Sequence, residues 1–237
     1  MKNSLLLLSF LFFTTVAFAQ GTAYGLKGGV TIGTQQWNGL ERQPLIKYHA
    51  AAYMESVTEE DDFSVFLQLG YHIKGSSLRT QNFFNPNFNL NARDFQFRNL
   101  SLILGGKQKF ALGTNRAYYL LGVRVDYTLS TNLEAYQEFN ERNPAFAIYP
   151  FPGAVNKWNY GVTAGGGIEF PFSELVRGFL EFTIHPDFSR QYSQPQILNV
   201  RNPISGQNTS IPERIIRNVT FEVSAGIRFW RKVEYID

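Results

Sequence analysis

About eight separate stretches of this chain gather their apolar residues on one parity. Near residues 22–33, 45–57, 63–74, 95–110, 116–129, 158–170, 177–188 and 217–230, one parity is rich in Val, Ile, Leu, Phe and Tyr and the other is small or polar. A period of two belongs to strands and a period of 3.6 to helices, and helical spacing appears nowhere with comparable strength, so an all-β chain is expected. The uncharged parity reads Phe63, Val65, Leu67, Leu69, Tyr71, Ile73 in one stretch and Val219, Phe221, Val223, Ala225, Ile227, Phe229 in another. The opposite parity holds Lys27, Lys47, Lys74, Lys107, Arg124 and Arg228 against Glu55, Asp126, Glu169, Glu181 and Glu222. Glycines such as Gly29, Gly105, Gly165 and Gly226 share that parity. Glycine in a strand marks a place where space is tight or another backbone approaches, so the charged parity reads as an enclosed face.

The connections alternate long and short. Long ones fall near 34–44, 75–94, 130–157 and 189–216, and short ones near 58–62, 111–115 and 171–176. In an up-and-down meander this gathers the long loops on one rim and the short turns, with both termini, on the other. Segments 194–200 and 211–217 leave a choice between eight strands and ten, and their Pro, Asn and Arg content places them outside any membrane.

Alternation alone does not say which face meets water, because a secreted soluble barrel binding an apolar ligand also has one apolar parity, pointing inward. Three features turn the apolar face outward into lipid. The stretches are longer than soluble strands and long enough for a tilted crossing of 9 to 11 residues. The polar parity mixes Gly with charges of both signs, and Tyr and Phe gather toward strand ends as interfacial girdles do.

The first residues are an address. Lys2 precedes an apolar run from Leu5 to Phe13 and a small-x-small site at Ala17-Phe18-Ala19, so 1–19 is expected to be a signal peptide and 20–237 a single barrel domain. No Cys follows the site, which excludes a bacterial lipid anchor, and the chain has no Cys for zinc fingers or thiol chemistry. A net charge of +3 with scattered basic residues gives no footprint for nucleic acid.

The stretches Tyr24-Gly25-Leu26-Lys27-Gly28-Gly29-Val30, Tyr160-Gly161-Val162 through Gly165-Gly166-Gly167-Ile168-Glu169-Phe170, and Ser224-Ala225-Gly226-Ile227-Arg228-Phe229 resemble small bacterial outer-membrane β-barrel proteins. The resemblance is to the eight-stranded porin-like group of OmpA/OmpX-type and PorT-like barrels. It implies an eight-stranded antiparallel up-and-down transmembrane barrel in the outer membrane, in contact with its lipid, with long loops outside and turns in the periplasm. Such chains usually stop at an aromatic residue ending the last strand, whereas Arg231 to Asp237 extend past Phe229 and Trp230 here.

On that reading Lys27, Glu55, Arg124, Asp126, Glu169, Glu181, Glu222 and Arg228 form a mutually paired polar network filling the lumen, since an unpaired charge there is costly. The expected role is structural or interactive. A narrow channel, or a component of a secretion assembly, is the alternative. His49, His72 and His185 fall on the inward parity, and their spacing fits isolated lumen histidines better than a metal site. No cofactor or metal is expected. A protein partner would engage the loops or the periplasmic turns, and Phe83, Phe84 and Phe88 in the Asn-rich second loop are candidates for that contact or for a lid. Catalytic motifs are absent, and His185 with Ser189 or Ser193 is the one pairing available, so no enzyme is expected.

Overall fold

Each of the eight alternating stretches forms a strand. The computed structural model describes residues 21–37, 42–57, 62–78, 93–142, 150–202 and 205–231. The segment read as a leader, and Phe83, Phe84 and Phe88, lie outside the described residues. The long strands are β1 (Gly21–Trp37), β2 (Gln43–Val57), β3 (Phe63–Leu78), β4 (Arg93–Leu112), β5 (Asn115–Thr131), β6 (Trp158–Pro171), β7 (Val176–Pro186) and β11 (Arg214–Arg231). Three short strands, β8 (Tyr192–Gln194), β9 (Ile197–Arg201) and β10 (Asn208–Ile211), interrupt the last long connection.

Neighbours pair antiparallel in chain order from β1 to β7, β7 then pairs β11, and β11 returns to β1, so eight strands close into a ring. Segments 194–200 and 211–217 add no ninth or tenth staves. β9 and β10 form a separate two-stranded ribbon, and β8 pairs only the first residues of β11. The first connection is shorter than expected because β1 continues to Trp37 and β2 begins at Gln43. The third contains a short helix, α1 (Gln137–Arg142), flanked by 3-10 turns at Leu133–Tyr136 and Pro152–Ala154, which strand periodicity had no means of revealing. At the opposite rim β4 and β5 are joined through Gly113, whose φ of 63° favours glycine.

The apolar parity points outward, except at Ile73 toward the long-loop end of β3, which is buried. Val123 is 61% exposed and Phe182 51%, while Arg124 is 1% exposed and Glu169 0%. Phe182 and Phe221 stack against each other on the outer surface, with ring centroids 6.3 Å apart. This overturns the alternative of a soluble barrel around an apolar ligand, in which the same side chains would meet in the interior. A shell of exposed Leu, Val, Phe and Tyr around closed hydrogen-bond ladders is stable in hydrocarbon, where no unpaired backbone edge is tolerated.

The outer apolar band has definite limits toward the long-loop rim. Outward positions are apolar from Tyr24 to Ile32 on β1, from Phe110 to Leu100 on β4 apart from Gln108, and from Phe229 to Val219 on β11, with glycine or alanine between. They then turn polar at Gln36, Arg98 and Arg217, all exposed. These runs match the length of a tilted membrane strand, and the remainder of each strand projects beyond the band.

Glycine makes the inner face possible. A Cβ on Gly29 would lie 1.9 Å from the Val223 carbonyl oxygen, and one on Gly25 would lie 2.3 Å from the Tyr53 ring. The first contact is with the backbone of the neighbouring strand β11 and the second with a ring of the neighbouring strand β2.

Replacing Val123, at the middle of the outer band, with Arg is expected to destabilise the folded barrel by about 2–4 kcal/mol, the cost of a guanidinium at the hydrocarbon midplane. Urea titration of refolding into phosphatidylcholine vesicles measures it, and conservative changes at the exposed Arg190→Lys or Lys157→Arg are expected to be near neutral.

Candidate functional site

The enclosed parity of the strands forms the lumen, and its charges gather in two groups. Nearer the short-turn rim, Glu55 of β2 collects Lys107 Nζ at 3.0 Å, Arg228 Nη2 at 3.3 Å and Ser64 Oγ at 2.8 Å, and also binds Lys109. Arg228 reaches on to Glu169 at 3.2 Å. Lys27 pairs with Glu181, which also accepts from Tyr118 Oη at 2.9 Å. Apolar side chains pack among these ions. Phe66, Ile103, Tyr118 and Leu120 form one cluster, Tyr53 meets Phe179 edge-on, and Lys107 Nζ stands 4.4 Å from the Tyr118 ring centroid.

Nearer the long-loop rim, Lys74 donates to Asp126 at 2.6 Å and to Asp187 at 3.0 Å. Arg124 bridges the same two carboxylates, with Nε 3.0 Å from Asp126 Oδ2. Asn218 donates to Asp187 at 2.9 Å and to Gln191 at 3.0 Å, and Gln35 donates to Asn218 at 2.8 Å. Beside them Glu222 accepts from His72 and His185. Every member of these two groups is buried.

Above the ions the mouth is capped. Phe95, Phe97 and Leu133 pack with Trp37, Tyr136 and Val155, and the Arg42 guanidinium lies 3.4 Å from the Trp37 ring centroid. Tyr192 of β8 is buried here, accepting from the Phe151 amide at 3.0 Å and donating to Gln194 at 2.6 Å. Burial raises its hydroxyl above the ordinary tyrosine pKa. Lys47 is less enclosed and pairs with Asp94 at 3.1 Å near the same rim.

Lys27, Glu55, Arg124, Asp126, Glu169, Glu181, Glu222 and Arg228 are thus all placed inside the lumen and hydrogen-bonded there. Sequence reasoning missed Lys109 and Asp187. Lys109 was open to detection, being two residues from Lys107 on the same parity. Asp187 was open to it as well, lying on the parity of Glu181 and His185 at the end of β7, where its amide donates to the Asn218 carbonyl and an isolated bridge joins it to Gly161.

The histidines are not isolated. His49 and His72 are direct partners across β2 and β3, and both reach toward the carboxylate that His185 meets from β7. The lumen of eight strands is narrow enough that residues from different walls touch. No group of His, Asp or Glu among the described residues has the arrangement of a metal site. His185 does not pair with serine. Its ring nitrogens face Thr163, Thr183 and Glu222, while Ser189 bonds Asn159 and Tyr160.

The family described as "Outer membrane protein beta-barrel domain" matches residues 18–189 of the sequence. Among solved structures, the outer membrane protein OprG from Pseudomonas aeruginosa shares the fold at a TM-score of 0.52 and 10% identity, covering 89% of this chain and 97% of that one. A major outer membrane protein from Thermus thermophilus (TM-score 0.48, 10% identity, 89% and 99% covered) and Neisserial surface protein A (TM-score 0.45, 10% identity, 87% and 97% covered) are also similar. No curated protein matches the sequence. With a closed ring of eight strands, an apolar exterior and the family's sequence pattern over most of its length, the chain belongs to the outer membrane protein β-barrel family and resides in the bacterial outer membrane.

Proposed function

We propose that this barrel is a non-conducting outer-membrane scaffold whose long extracellular connections carry its interaction with a partner protein. The observation that supports it best is the filled interior. Arg124 and Arg228 are each 1% exposed and held by carboxylates, and a cavity of about 10 Å³ between Lys27, Tyr53, Phe66, Gln68, Lys107, Leu120 and Glu181 has the size of one water molecule. A hydrated ion has no path through side chains packed to that density. Catalysis is not part of the proposal. The buried hydroxyl–imidazole contacts among the described residues, Ser224 Oγ with His49 Nε2 at 2.8 Å and the threonine hydroxyls on His49 and His185, all lie between residues at most 4% exposed.

In planar bilayers the purified barrel is expected to give no stable openings in 1 M KCl. Reproducible single-channel steps would replace the scaffold reading with the narrow channel. Because Glu55 holds Lys107, Lys109 and Arg228 together, Glu55→Gln is expected to destabilise the barrel by about 3–5 kcal/mol, the cost of stranding buried cations, read as a lowered urea midpoint in micelles. For the partner, cross-linking and pull-down from a detergent extract is expected to enrich a protein with the natural chain and to lose it when Phe83, Phe84 and Phe88 are all changed to Ser. Equal recovery by both chains moves the contact away from the second loop.

A further inference from the structure

All three histidines of the chain meet at one carboxylate. Glu222 Oε1 lies 2.7 Å from His72 Nδ1, and Oε2 lies 3.1 Å from His185 Nε2 and 3.8 Å from His49 Nε2. The second nitrogens differ in what they face. His49 Nδ1 is 3.0 Å from Thr31 Oγ1 and His185 Nδ1 is 2.9 Å from Thr163 Oγ1. Hydroxyls donate or accept, so they dictate no charge on those two rings. His72 is the exception. Its Nε2 faces Asp126 Oδ1 at 3.6 Å, so the ring lies between two carboxylates, which accept only.

Charge balance makes the same distinction. Around the cluster stand Lys74 and Arg124, against Asp126, Asp187 and Glu222. Lys27 of β1 is neutralised by Glu181 of β7, and at this level β4 and β6 contribute only the uncharged Asn99 and Thr163. With every imidazole neutral, this buried group carries one uncompensated negative charge, and a single added proton cancels it.

We propose that the Glu222 cluster is a proton-binding site which at neutral pH holds one proton, carried by His72 as an imidazolium bridging Glu222 and Asp126, and which takes up more on His49 and His185 as the medium acidifies. Each further proton puts a like charge beside Lys74, Arg124 and His72 in a closed space where only Glu222 is shared among the three rings. Stability of this half of the lumen is therefore greatest near neutrality and falls as pH drops below the ordinary histidine range of about 6.5. The group around Glu55 contains no imidazole and stays intact over the same interval. The barrel senses external acid at the half nearer the long loops.

Side-chain 15N–13C correlation spectra of the full barrel in detergent micelles, from pH 8 to 4, test this. At pH 7 one and only one of the three rings is expected to be doubly protonated, and its signal is expected to vanish in His72→Asn. Zero, two or three charged rings in the natural chain, or a charged ring that survives that change, overturns the proposal without need of any other variant. In Glu222→Gln the His72 ring is expected to lose its charge at pH 7, and a ring still charged there overturns the balance. Amide exchange, corrected for its intrinsic rate, is expected to rise between pH 7 and 5 around residues 72–74 and 183–186, by about tenfold per pH unit for each proton taken up on opening. An equal rise around 53–55 and 107–109 would remove the two-part division.

Discussion

Hydrocarbon offers no partner to a backbone N–H or C=O, and the architecture of this protein follows from that absence. A sheet that crosses a bilayer must leave no edge. β1 meets this requirement by pairing on both sides, with β2 from Gly21↔Val57 to Gly33↔Leu45 and with β11 from Thr22↔Arg231 to Trp37↔Ile216. Closure then fixes two surfaces of opposite kind. The outside must be apolar because lipid surrounds it, and the inside is the one place left for ionisable side chains.

Closing only eight strands makes that inside narrow, and narrowness governs the rest. On so tightly curved a wall neighbouring strands crowd one another, as the Val223 carbonyl does at Gly29 and the Tyr53 ring at Gly25, so glycine recurs on the inner parity. The charges that remain are stripped of water, at an effective penalty of several kcal/mol per ion unless paired. The lumen answers with shared ions rather than simple pairs. Glu55 serves Lys107, Lys109 and Arg228, while Asp126 and Asp187 together hold Lys74 and Arg124. Sharing lets one desolvated carboxylate satisfy several donors, which lowers the number of charges that must be buried. It also ties β2, β4, β5 and β11 together across the axis.

The fold was legible in the sequence because the constraint acts on every second residue. A charge-free parity in stretches longer than soluble strands is the direct trace of a lipid-facing wall, and it located all eight strands within a few residues. Parity also says which charges point inward. It does not say which of them meet, since partners such as Lys74 with Asp187, or His72 with Glu222, lie 113 and 150 residues apart and are joined by strand stagger around the ring. For that reason the three histidines read as isolated in the sequence and converge in the structure. The short helix α1 escaped for another reason. It lies where the alternation stops, beyond the reach of the lipid constraint that made the strands readable.

The same boundary separates what is fixed in this molecule from what is free. Between Tyr24 and Ile32, or Phe229 and Val219, both faces of each strand are committed, one to lipid and the other to the packed lumen. Past Gln36, Arg98 and Arg217 the outward face is released from hydrocarbon while the strands are still held in register by their neighbours. In this released zone the chain builds structures with no counterpart among the described residues of the other rim: the Trp37, Phe95 and Tyr136 cap, the buried Tyr192, and the β9 and β10 ribbon with Leu198 exposed. A residue changed within the band must satisfy lipid or a shared ion, whereas a residue changed on the ribbon answers to neither. Sequence change therefore has most room beyond the band, on a platform held steady by the packed barrel beneath it.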